Sequence, residues 1–137
     1  MKHNILLVIA SVLSILFTTF HLADDIVRGM EPGTLLDLIA VPILVVWLCG
    51  TLVLAERRSG YVIILLGSLL GLVVPVIHMK GAGVGGAIAK SSGAFLFIWT
   101  LLVLGVTALF SVILSARALW EHLPRRTEVQ HKQGARA

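Results

Sequence analysis

The chain has 137 residues, 58% hydrophobic and 13% charged, with a formal net charge of +4 and a mean hydropathy of +1.00. A soluble domain of this size leaves much of its surface in water and cannot hide that much apolar area, so the composition excludes an ordinary soluble globule. The basic residues stand beside apolar segments rather than on a polar face, which argues against a nucleic-acid surface and for lipid headgroups and topology control.

Crossing about 30 Å of hydrocarbon at about 1.5 Å per residue takes about 20 mostly apolar residues. Four segments qualify in chain order: 4–23, 38–55, 59–79 and 91–116. No strand-like alternation accompanies them, and backbone groups in lipid must be satisfied internally, so each is read as a helix. The predicted fold is all-α: a polytopic membrane protein with four transmembrane helices in an antiparallel bundle, formed by residues 1–123. The tail 124–137 is basic and predicted to be disordered. Lys2, an apolar core and Ala23 also resemble a secretory signal. However, His21 stands three residues before the break, where a small residue is needed, and the apolar run is long for such a signal. Cleavage there would remove His21 and leave three spans.

Connections are short. AERRSG alone joins the second and third spans and forces an antiparallel hairpin. One side of the membrane receives Lys2, Arg57, Arg58, Arg117, Arg125, Arg126, Lys132 and Arg136, eight basic residues; the other receives three, Arg28, Lys80 and Lys90. The positive-inside rule places both termini in the cytoplasm, in a cytoplasmic-type cell membrane.

Four crossings have a consequence. Span one ends, span two begins, span three ends and span four begins on one face, so His21, Asp24, Asp25, Asp37 and His78 share it. Ser11, Ser14, Thr18, His21 and Asp25 follow spacings of 3, 4, 3 and 4, a seam that turns toward protein rather than lipid. In span three, Gly67, Gly71, Pro75 and His78 also share a face, and GSLLG allows close helix packing at Gly67 and Gly71. Pro42 and Pro75 each lie within about a turn and a half of the outer end of their spans, where kinks would splay the bundle and open a small cavity. Thr34 and Asp37 form a capping box for span two after the Pro32-Gly33 turn, and Ser91 or Ser92 caps span four.

His21 with Asp24 or Asp25 gives ligand spacing on one helix face, and His78 would add a second imidazole from another helix. Two imidazoles and a carboxylate suit zinc, iron or copper. The competing reading is a helix end in which His21 meets the dipole and Asp24 pairs with Arg28. A haem between His21 and His78 has no support from spacing. Proton-coupled transport would need a path along Ser11, Ser14 and Thr18 with Ser111 and Ser115.

Other signals carry less. Residues 81–86 match G-x-G-x-x-G but follow a membrane span rather than a strand, so they form a connection and no dinucleotide site. Glu56-Arg57-Arg58 is a topology anchor with a local ion pair. Trp120 fits a membrane interface; Trp47 is too deep and is assigned to packing. Cys49 excludes an intrachain disulfide. No nucleophile, histidine and acid combine, so no enzyme is expected. The leading expectation is an accessory or interaction subunit with an outward-facing His/Asp pocket. The alternatives are a small-solute or ion-coupled transporter component and a metal-binding membrane protein. Beyond a divalent metal no cofactor is expected; the partners are the lipid bilayer and a second copy or another membrane protein, without nucleic acid.

Overall fold

The computed structural model describes residues 2–29, 37–80 and 93–122. They form four α-helices and one short 3-10 turn. The helices are α1 (Lys2–Val27), α2 (Ala40–Leu52), α3 (Arg58–Lys80) and α4 (Ala94–Glu121), and the turn is Asp37–Ile39. The tail 124–137, Thr34, Ser91 and Ser92 lie outside the described residues.

Three of the helices, α1, α3 and α4, are long and apolar enough to cross a membrane. The shorter α2 has 13 residues, about 20 Å at about 1.5 Å per residue. The expected second span, 38–55, is therefore only partly regular α-helix. Its beginning is a 3-10 turn. After Leu52 the amides of Val53 and Leu54 both turn back to the Cys49 carbonyl, at 2.9 and 3.1 Å, which ends the helix. Pro42 falls in the first turn of α2, where its missing N–H has no helical partner to lose, so it is a tolerated start and not the kink expected there. Pro75 does lie inside α3.

The other ends also have local causes. At the C-terminal end of α1, Gly29 takes φ +70° and its amide reaches the Ile26 carbonyl at 3.0 Å, the left-handed stop that glycine permits. The residue preceding α4 is Gly93, with φ 87° and no side-chain cap. The far end of α4 runs past the expected 116 to Glu121, supported by the Arg117–Glu121 ion pair at 2.9 Å. His122 caps it, its ring Nδ1 donating to the Ala118 carbonyl at 2.8 Å.

The bundle interior follows heptad-like stripes. On α4 the buried positions include Phe97, Leu101, Leu104, Ala108, Ser111, Ser115 and Ala118. On α1 they include Leu7, Ser11, Ser14, His21 and Asp25. Alternating steps of 3 and 4 give nearly parallel helix axes. The central helix is α4, which packs on both α1 and α3, while α2 lies mainly against α3. At one end Asn4 donates to Glu56 and accepts from Tyr61, both at 3.2 Å. At the other, His21 of α1 meets His78 of α3. Thus α1 and α3 run parallel, and the chain between them returns along the bundle's length.

The polarity is inverted relative to a soluble bundle. Ser11, Ser14, Thr51, Ser68, Ser111 and Ser115 are fully buried, while Leu6, Phe20, Leu66, Leu70, Phe95 and Phe110 are exposed. The serines are spent on packing bonds. Trp47 Nε1 donates to Ser11 Oγ at 3.0 Å, and Thr51 Oγ1 donates to the Trp47 carbonyl at 2.9 Å. The threonine proton being used, Ser11 must donate across the 2.7 Å contact to Thr51, which closes a ring of bonds between α1 and α2. Ser68 donates to Ser111 at 2.7 Å and joins α3 to α4.

Gly67 and Gly71 receive the Trp47 indole. A Cβ on Gly67 would lie 2.6 Å from Trp47 Cγ, and one on Gly71 would lie 3.2 Å from Trp47 Cη2. The G-x-x-x-G face of α3 is thus filled by a side chain of α2 within the same chain.

Candidate metal centre

The inward stripe of α1 carries His21 and Asp25 one turn apart, both 4% exposed. His78 comes from α3, one turn after Pro75. His21 Nε2 stands 3.1 Å from Asp25 Oδ2, and His78 Nε2 stands 3.3 Å from the same oxygen. The two imidazoles meet edge to face, with centroids 4.5 Å apart. One donor atom from each of His21, Asp25 and His78 lies within 4.8 Å of the other two.

Proton accounting makes this contact unusual. His78 Nδ1 lies 2.9 Å from the Val74 carbonyl, which can only accept, so Nδ1 carries the hydrogen. In the neutral ring Nε2 then presents a lone pair to a carboxylate oxygen. Two lone pairs at 3.3 Å repel unless a positive centre, proton or metal ion, lies between them. His21 is equally unsettled: among the described residues neither its Nδ1 nor Asp25 Oδ1 has a hydrogen bond, and its Nε2 has the 3.1 Å approach to Asp25 Oδ2 without hydrogen-bond geometry. A buried polar atom left without a partner costs about 1–3 kcal/mol, so His21 Nδ1 and Asp25 Oδ1 mark a site that is incomplete as it stands.

The third wall is Phe97 of α4. Its ring centroid is 5.5 Å from that of His21 and 5.8 Å from that of His78. Above it lies Arg28, its guanidinium carbon 5.7 Å from the ring centre. Arg28 Nε donates to Asp24 Oδ2 at 2.7 Å and its Nη2 donates to the Gly93 carbonyl at 3.2 Å, tying the end of α1 to the start of α4.

The structure therefore gathers three of the four residues expected to ligate metal, His21, Asp25 and His78. Asp24 is turned onto Arg28, because one residue along a helix is a rotation of about 100° away from the inward stripe. Asp37 opens the 3-10 turn before α2. Phe97 and Val74 were not singled out from the sequence. Phe97 begins the buried stripe of α4, and Val74 is one turn before His78, so helical periodicity carried both signals.

Two other chemistries fit poorly. The imidazoles touch edge to face, which leaves no gap between them for a macrocycle. The serines of the expected polar path serve helix packing: Ser14, Thr18 and Ser115 donate back to carbonyls one turn earlier, Ser11 bonds Thr51 and Ser111 accepts from Ser68. Two grooves are lined by other residues. One of about 320 Å³ lies over Pro42, Trp47 and Leu70, and one of about 490 Å³ lies over Asn4, Val8 and Glu56. Comparison of the chain with models of known protein families, with characterised proteins and with solved structures returns no match.

Proposed function

We propose that this chain is a small four-span membrane protein that binds one divalent transition-metal ion through His21, Asp25 and His78. The observation that carries the reading is the meeting of two imidazoles on one buried carboxylate with donor atoms left unsatisfied. In a tetrahedral site with bonds of about 2.0–2.1 Å, neighbouring donors stand about 3.3 Å apart. The two nitrogen–oxygen separations, 3.1 and 3.3 Å, match that edge, and the three donor atoms all lie within 4.8 Å of one another. Imidazole and carboxylate together favour zinc and its first-row neighbours over magnesium or calcium, which prefer oxygen alone. The Val74 carbonyl on His78 Nδ1 is the outer partner that orients a ligating imidazole.

The return of the chain between two parallel helices supports a fourth crossing. Asp37–Ile39 and Ala40–Leu52 together cover about 26 Å at the usual helical rises, and the flanking residues complete a span of about 30 Å. The lysine and arginine distribution puts the metal end outside and both termini in the cytoplasm. On this reading the protein acts by holding the ion, as an accessory or interaction subunit in the cell membrane.

Zinc titration of the detergent-purified protein against a chromophoric chelator tests this. One ion per chain is expected. Asp24→Asn should bind within about 3-fold of the parent, because that carboxylate serves Arg28, whereas the His21→Ala, His78→Ala double variant should lose stoichiometric binding. Absence of binding in the parent, or equal binding in the double variant, would overturn the reading.

A further inference from the structure

Resting on the metal-site reading, we infer that the bound ion keeps one coordination position for a small exogenous monoanion. Three protein donors do not saturate a four-coordinate ion. Sites closed for structural purposes take four, and sites with three hold water or a solute in the fourth position.

Geometry accounts for the neighbouring directions. Phe97, which has no donor, covers the α4 side of both imidazoles. Asp24, the nearest other acid on α1, is held by Arg28 at 2.7 Å. Among the described residues no further histidine, cysteine or carboxylate joins the group. In the two connections at this end, residues 81–92 contain none of these residue types, and residues 30–37 contain Glu31 and Asp37.

Charge points to the class of ligand. A divalent ion, two neutral imidazoles and one carboxylate leave a net charge of +1. Asp24 is paired with Arg28 at 2.7 Å and not with this group. His21 and Asp25 are 4% exposed, and an uncompensated charge at that depth is poorly tolerated. A small monoanion, hydroxide or a solute of similar size, completes the coordination number and the charge together. The ion is then an exchangeable centre that presents a ligand position.

The test uses the full chain in detergent, loaded with cobalt(II) and titrated with sodium azide. A saturable change in the visible ligand-field spectrum is expected, with one azide per cobalt. The change should be the same in Glu31→Gln and Asp37→Asn. A cobalt spectrum indifferent to azide would overturn the inference and leave the metal site standing, since the chain would then supply the fourth donor, for instance through both oxygens of Asp25. Azide sensitivity that appears only after Glu31 or Asp37 is replaced would overturn it in the same way. Absence of a cobalt ligand-field spectrum in the parent would remove the metal site itself.

Discussion

Asp25→Ala is expected to weaken zinc binding by at least about 100-fold while leaving the metal-free protein as stable as the parent or more so. The first part follows from geometry: both imidazoles converge on Asp25 Oδ2, so its loss removes the central donor and the only negative charge in the group. If a four-donor site contributes about 10–16 kcal/mol, one donor is worth roughly 3 kcal/mol, or about 100-fold. The second part follows from burial. Without metal, the parent holds a carboxylate at 4% exposure with one oxygen unbonded, and alanine removes that desolvation cost. A purely structural role would give the opposite sign. Were Asp25 the anchor of α1 to α3 through its ion pair with His78, its removal would destabilise the metal-free protein by about 3–5 kcal/mol. Chelator competition and denaturant-induced unfolding, with and without zinc, separate the two.

Gly67→Leu is expected to act in the reverse way, costing about 3 kcal/mol of stability while the folded fraction keeps its zinc affinity within about 3-fold. The Trp47 indole occupies the space a Cβ would need, and overpacking of this kind costs about 1–3 kcal/mol. Pushing the indole away also breaks its bond to Ser11, worth about 0.6–1.7 kcal/mol inside a membrane bundle. Gly71→Ala should cost less, since its nearest neighbour, Trp47 Cη2, is 3.2 Å from the added carbon. His78 is three turns away along α3, and its contacts with Val74, Phe97 and α1 are all at that end, so the metal end is insulated. Unfolding of both variants, read beside zinc titration, checks the separation. Full stability in Gly67→Leu would show that Trp47 does not occupy this face.

These two positions also show what the sequence could convey. The seam Ser11, Ser14, His21 and Asp25 was legible because helical spacing fixes which side chains share a face, and polar groups in an apolar helix turn toward protein. Crossing parity placed His21 and His78 on one membrane face, but their contact is a finding of the structure. What parity could not give was rotation about each axis, and that decides between Asp24 and Asp25. Their separation of about 100° places one on the imidazoles and the other on Arg28. The length of α2 was obscure for a different reason. Hydropathy marks residues 38–55 as apolar throughout, whereas the helix stops where Val53 and Leu54 both turn to one carbonyl, a backbone event with no compositional signature. Likewise G-x-x-x-G at 67–71 announces a close approach but not its occupant. The close approach of the Leu54 backbone to Gly60 in the first turn of α3, where a Cβ would lie 2.7 Å from the Leu54 carbonyl carbon, and Trp47 together set how α2 lies on α3.

X-ray absorption at the zinc edge tests the account most directly, because it counts ligands around the ion itself. For the zinc-loaded chain the expected result is a first shell at about 2.0–2.1 Å made of two imidazoles and light oxygen donors, without sulfur, falling to one imidazole in His78→Ala. A sulfur shell from Cys49, or an imidazole count unchanged by that substitution, would contradict it.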